Sequence, residues 1–141
     1  MKKIIYQIVK YITLFISGAI IYMALEIIWR GYTFISMGIL GGICLILVGL
    51  INEIFKKIPL LYQGFIGSII ITLLEYCTGV LLNIKLGLHI WDYSNLPFNV
   101  DGQVCLLFSL IWVLLSVVAS IIDDSIRHYI FKEPKKDLKL I

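Results

Sequence analysis

Apolar residues run along this chain in four long blocks with almost no polar interruption. No residue is charged from Tyr11 to Leu25, from Gly31 to Asn52, or from Gly102 to Ile122. The block from Ile58 to Ile84 carries a single charge, Glu75. A helix needs roughly 20 mostly apolar residues to cross the hydrocarbon core of a bilayer at about 1.5 Å per residue. The pattern therefore predicts four transmembrane helices near residues 8–28, 33–51, 64–84 and 103–122. Barrel strands would alternate apolar and polar positions, and these runs do not.

Punctuation between the blocks agrees. Arg30-Gly31 separates the first two, and Asn52 through Gln63 carries Glu53, Lys56, Lys57 and Pro59. The longest connection, Lys85 to Gln103, is rich in turn formers (Asn95, Pro97, Asn99, Gly102). Asp101 stands where its carboxylate could cap the fourth helix. Beyond Asp123-Asp124, the residues Ile122, Ile126, Tyr129 and Ile130 make a short apolar face, followed by Lys132, Lys135, Lys136 and Lys139. This predicts a C-terminal interfacial helix with a basic tail near anionic lipid. The expected architecture is all-α: a four-helix membrane domain over 1–131, with a structured loop between helices 3 and 4, and a basic tail over 132–141.

Composition adds weight. Of 141 residues, 60% are hydrophobic and 15% charged, against about 45–50% and about 25% in soluble domains. That excess excludes disorder, a coiled coil, a disulfide scaffold and an ordinary soluble enzyme. So few charges also exclude nucleic acid as a partner. The partner is the lipid bilayer, and a homo-oligomer is a further expectation, since four helices enclose little space.

Charge placement orients the chain. Lys2, Lys3, Lys10, Lys56, Lys57, Arg127, Lys132, Lys135, Lys136 and Lys139 fall on one side, against Arg30 and Lys85 on the other. The positive-inside rule places both termini in the cytoplasm of a cell membrane and the 85–102 loop outside. Lys2-Lys3 before an apolar run resembles a signal peptide, but no small-x-small cleavage site follows, so the first span is expected to be retained. Cys44, Cys77 and Cys105 all fall in or beside spans and read as packing residues; no Cys/His spacing suits a metal. No metal or cofactor is expected.

Glu75 is the most informative residue. A charge at the bilayer centre costs on the order of 2.5–3.5 kcal/mol on insertion scales, so it should face the bundle interior. Gly64, Ser68, Thr72, Glu75 and Gly79 recur at helical spacing and form one face. Small and hydroxyl residues permit close helix approach in lipid, which marks this face as a packing seam. Gly38 and Gly42 on the second span, and Ser109, Trp112 and Ser116 on the fourth, supply partner stripes. Glu26 and Arg30 stand at i, i+4, the acid first, as a helical ion pair requires. With Trp91, Asp92, Tyr93 and Asn99 of the loop, these charges suggest an outward-facing polar pocket for a substrate or ion. Structural roles fit the same residues: Glu75 fixing helix register, Glu26–Arg30 stiffening a helix end, and Trp91 sitting in an aromatic belt.

Glu75, Trp91-Asp92-Tyr93-Ser94, Pro97-Phe98-Asn99, Gly102, and Cys105-Leu106 with Phe108 through Trp112 together resemble the signature of a bacterial membrane-protein family described as "putative ABC-transporter type IV". Glu26 and Arg30-Gly31 are similar to its first span. The resemblance implies a permease-like membrane component and a separate ATPase subunit as partner. The chain has no Gly-x-x-x-x-Gly-Lys-Ser/Thr loop to hold ATP phosphates. Three functions follow as expectations: a small permease-like transport component, a non-transporting scaffold or regulatory subunit, and, with no catalytic constellation behind it, a membrane-embedded enzyme.

Overall fold

The computed structural model describes residues 1–141. Four helices account for the charge-poor blocks: α1 (Lys2–Arg30), α2 (Ile35–Ile54), α3 (Leu60–Gly79) and α4 (Leu106–Tyr129). α3 continues into a wider π-helical turn over Val80–Lys85. All four are long and apolar enough to cross a membrane. The protein is a membrane bundle.

Local chemistry sets the helix ends. Gly31 closes α1 in the left-handed conformation at φ 81°, and its amide donates to the Ile27 carbonyl, as a glycine just past a helix end commonly does. Pro59 precedes α3, where a missing amide hydrogen costs nothing. Two short strands, β1 (Asn99–Val100) and β2 (Val104–Cys105), pair antiparallel and lead directly into α4. Both chain termini lie at one end of the bundle, here the terminal end; the 86–105 segment covers the other, the loop end.

The helices form two antiparallel pairs, α1 on α2 and α3 on α4, joined because α2 also packs on α3 and α4. Glycines let α1 and α2 approach closely. A Cβ on Gly18 would stand 2.7 Å from the Gly41 carbonyl oxygen, and one on Gly42 would stand 2.7 Å from the Phe15 carbonyl oxygen. Backbone cannot step aside as a flexible side chain can. Gly42→Leu is therefore expected to lever α1 away, at about 1–3 kcal/mol or more. A drop in detergent melting temperature, with Ile39→Val on the exposed face as control, checks this.

One expectation is corrected here. The apolar face from Ile122 to Ile130 is not a separate interfacial helix, because α4 runs unbroken to Tyr129. No breaker interrupts it, and Asp123 and Arg127 pair at i, i+4 with 2.9 Å between Oδ2 and Nε. The basic tail follows Tyr129. It turns at Lys132 (φ 58°) and folds back across the terminal end. There Lys139 and Leu140 carbonyls accept from the Leu60 and Leu61 amides, satisfying donors that α3 leaves open.

Candidate functional site at the loop end

Glu75 lies well inside α3 and is only 2% exposed. Tyr93 donates its hydroxyl to Glu75 Oε1 at 3.0 Å, and Trp112 donates Nε1–H to Oε2 at 3.0 Å. One carboxylate thus ties together α3, α4 and the covering loop. Tyr93 also stacks on Phe108 with ring centroids 4.7 Å apart. Burial, then the nearby Glu75 charge, pushes the Tyr93 phenol up from its ordinary pKa, which keeps it a proton donor.

The seam continues below this cluster. Thr72 and Ser109 hydroxyls stand 2.9 Å apart, and Ser68 donates to the Ser109 carbonyl. Gly64 faces Val113 and Val117, and Gly79 faces Gln103 and Trp91. Gly38 and Gly42 meet Met23 and Phe15 of α1 instead, so they belong to the α1–α2 contact.

A second polar group stands at the loop end of α1. Glu26 Oε2 accepts from Arg30 Nη2 at 2.8 Å and from Thr33 Oγ1 at 2.9 Å. Arg30 Nη1 donates to the Ile90 carbonyl at 2.8 Å, fastening α1 to the loop. Its guanidinium lies 4.7 Å from the Tyr32 ring centroid, within cation–π range.

The loop is held from within. Asn83, buried in the π-helical turn, accepts from the Ile90 amide and donates to Gln103 Oε1. Trp91 donates to the Gln103 carbonyl and is 9% exposed, so it is a core residue, not an aromatic-belt one. Asp92 accepts from the Ser94 amide and hydroxyl, bonds that hold its carboxyl below the usual aspartate range. Asn99 donates to the Leu96 carbonyl and accepts from the Gly102 amide. Asp101 does not cap α4, which begins only at Leu106; it accepts from Tyr76 at 2.8 Å.

Between α1 and α4 these groups border a cavity of about 340 Å³. Tyr22, Glu26, Arg30, Trp91, Tyr93 and Trp112 are among its walls. The sequence suggests a polar pocket containing Glu75, Asp92 and Asn99, and the structure differs. Eleven of the thirteen lining residues are hydrophobic, and Glu26 and Arg30 supply the charge. Glu75 is covered because Tyr93 and Trp112 occupy both its oxygens. Asp92 and Asn99 fold the loop and do not reach the cavity.

Sequence reasoning missed a third polar group, at the terminal end. Asp123 is 0% and Arg127 2% exposed. Arg127 also faces Glu53 at 3.6 Å and Glu133 at 3.7 Å. Lys10, buried at 5%, donates to Glu133 at 2.6 Å, and Lys136 pairs with Glu53. The signal was the i, i+4 spacing of Asp123 and Arg127 on the continuation of the Ser109–Trp112–Ser116 stripe.

No curated protein and no solved structure matches this chain. A family match, under the description "Putative ABC-transporter type IV", covers residues 14–141. It takes in the Glu75 cluster, the Trp91–Asn99 loop and the Asp123–Arg127 pair alike, and the chain belongs to that family of ABC-transporter-related membrane proteins.

Proposed function

We propose that the chain is a permease-like component of a transport system in a bacterial cell membrane, and that the α1–α4 cavity receives a small amphiphile. The observation that carries this reading is the division of the cavity walls. Aromatic and aliphatic side chains such as Leu25, Ile111 and Leu115 line its length, and Glu26 and Arg30 supply its charge. A hydrocarbon tail fits the former and a charged or zwitterionic head fits the latter. With both termini on the cytoplasmic side by the positive-inside rule, the cavity faces outward. ATP hydrolysis would come from a separate ATPase subunit on the cytoplasmic side, as the family description suggests. A second copy of the chain, or that partner, would complete any path. We assign the chain no enzymatic role.

All three tryptophans, Trp29, Trp91 and Trp112, line the cavity, so their fluorescence reports its occupancy. Bromododecanoate titrated into the protein in nanodiscs is expected to quench saturably. Arg30→Gln should weaken apparent affinity by about tenfold, the loss of one charge-assisted hydrogen bond. Leu115→Phe should weaken it by filling the cavity. Unsaturable quenching, identical in the wild type and both variants, overturns the reading.

One observation favours a second reading, a non-transporting scaffold or regulatory subunit. Both oxygens of Glu75 are already engaged, as a structural staple requires.

A further inference from the structure

α4 carries a row of polar side chains of which only Trp112 borders the cavity. Ser109, Trp112, Ser116, Ser120, Asp123 and Arg127 recur at steps of three or four and share one helix face. Ser116, Ser120 and Asp123 are all 0% exposed. The neighbouring helices are cut back to admit them. A Cβ on Gly67 of α3 would lie 2.7 Å from Ser116 Cβ, and one on Gly49 of α2 would collide with the Asp123 carboxylate.

The polar atoms of this row lack partners. Ser116 Oγ, Ser120 Oγ, Asp123 Oδ1 and Arg127 Nη2 make no hydrogen bond within the protein. Neither do Asn52 Nδ2 and Gln63 Oε1, which belong to buried side chains on α2 and α3. Each such group costs about 1–3 kcal/mol if left bare, and a membrane offers no relief by local opening. Small molecules that both donate and accept would satisfy them. Water does so; a metal cation is disfavoured because Arg127 already sits 2.9 Å from Asp123 Oδ2.

The row also connects two charged places. At its loop end, Ser109 meets Thr72 and Ser68, and Trp112 meets Glu75. At its terminal end, three cations (Lys10, Arg127, Lys136) pair with three carboxylates (Glu53, Asp123, Glu133), and Asp124 beside them accepts from the Lys136 backbone amide. His128 stands beside the cluster, its Nδ1 2.9 Å from the Glu133 carbonyl oxygen.

We propose that this row holds a file of bound water between α2, α3 and α4 and conducts protons between Glu75 and the Asp123–Arg127 cluster. In each hop, a water or serine hydroxyl accepts a proton on one side and releases another on the far side. No bond is gained or lost overall, and the unpartnered Oδ1 of Asp123 gives an arriving proton a resting place. The inference goes beyond the amphiphile cavity and does not depend on it.

Two measurements on the full chain test it. In a background with Cys44, Cys77 and Cys105 replaced by serine, Ser116→Cys and Ser120→Cys are expected to react with a small charged methanethiosulfonate, which needs water at the thiol. In liposomes loaded with pyranine under a valinomycin-set potential, the protein is expected to pass protons. Ser120→Val should cut that flux by about tenfold or more, equivalent to one lost hydrogen-bonded step. Asp123→Asn, which keeps shape and removes the resting place, carries the same test where the valine variant fails to assemble. Unreactive cysteines overturn the proposal. So does wild-type flux no greater than that of empty liposomes, or flux unchanged in Asp123→Asn.

Discussion

Arg127→Ala is expected to destabilise the protein by about 3–5 kcal/mol, the usual consequence of removing one partner from a buried ion pair. The reason is what the substitution leaves behind. Arg127 is 2% exposed, and its guanidinium stands between Asp123, Glu53 and Glu133. Without it, Asp123 loses the one group that donates to it, and the cluster keeps Lys10 and Lys136 against three acids, Glu53, Asp123 and Glu133. Loss of the native size-exclusion peak on heating in detergent measures the effect. The double variant Arg127→Met, Asp123→Leu should recover much of the loss, because replacing both partners with apolar groups is often neutral. A single variant as stable as the wild type would show that water enters the cluster freely and screens it.

The same residues show why sequence reading reached the helices and not the terminal end. Four runs with a single charge among them are a one-dimensional signal, and lipid leaves them no other structure. The seam at Ser68, Thr72 and Glu75 is also local, since helical spacing alone puts those residues on one face. Arg127, by contrast, sits next to a span end, where basic residues are normally solvated. Its burial follows from Glu53 and Glu133, brought in by α2 and the folded tail. Lys10 is hidden for the same reason, its partner lying at Glu133. The make-up of the cavity is not legible from Glu75, because its partners Tyr93 and Trp112 lie 18 and 37 residues away. Spacing finds a face; it does not find what covers it.

Glu75 admits a pair of substitutions whose outcomes diverge. Glu75→Leu is expected to cost several kcal/mol, at about 1–3 for each donor left buried without an acceptor. Those donors are Tyr93 O–H and Trp112 Nε1–H, both aimed at a position leucine cannot serve. The loop should detach from α4, read as faster hydrogen exchange at the Tyr93 amide, which donates to the Gly102 carbonyl. Glu75→Gln keeps the shape. Its carbonyl oxygen can accept from Trp112 while its amide donates to the Tyr93 oxygen, so melting and exchange should stay near wild type. What the amide cannot do is release or take up a proton. If Glu75 is only a staple, the glutamine variant should match the wild type in bromododecanoate binding and in proton flux. If Glu75 is the proton-linked group, flux in pyranine-loaded liposomes should fall about tenfold or more while stability holds. Normal flux in a folded Glu75→Gln variant assigns the carboxylate to architecture alone and overturns Glu75 as an end of the proton path.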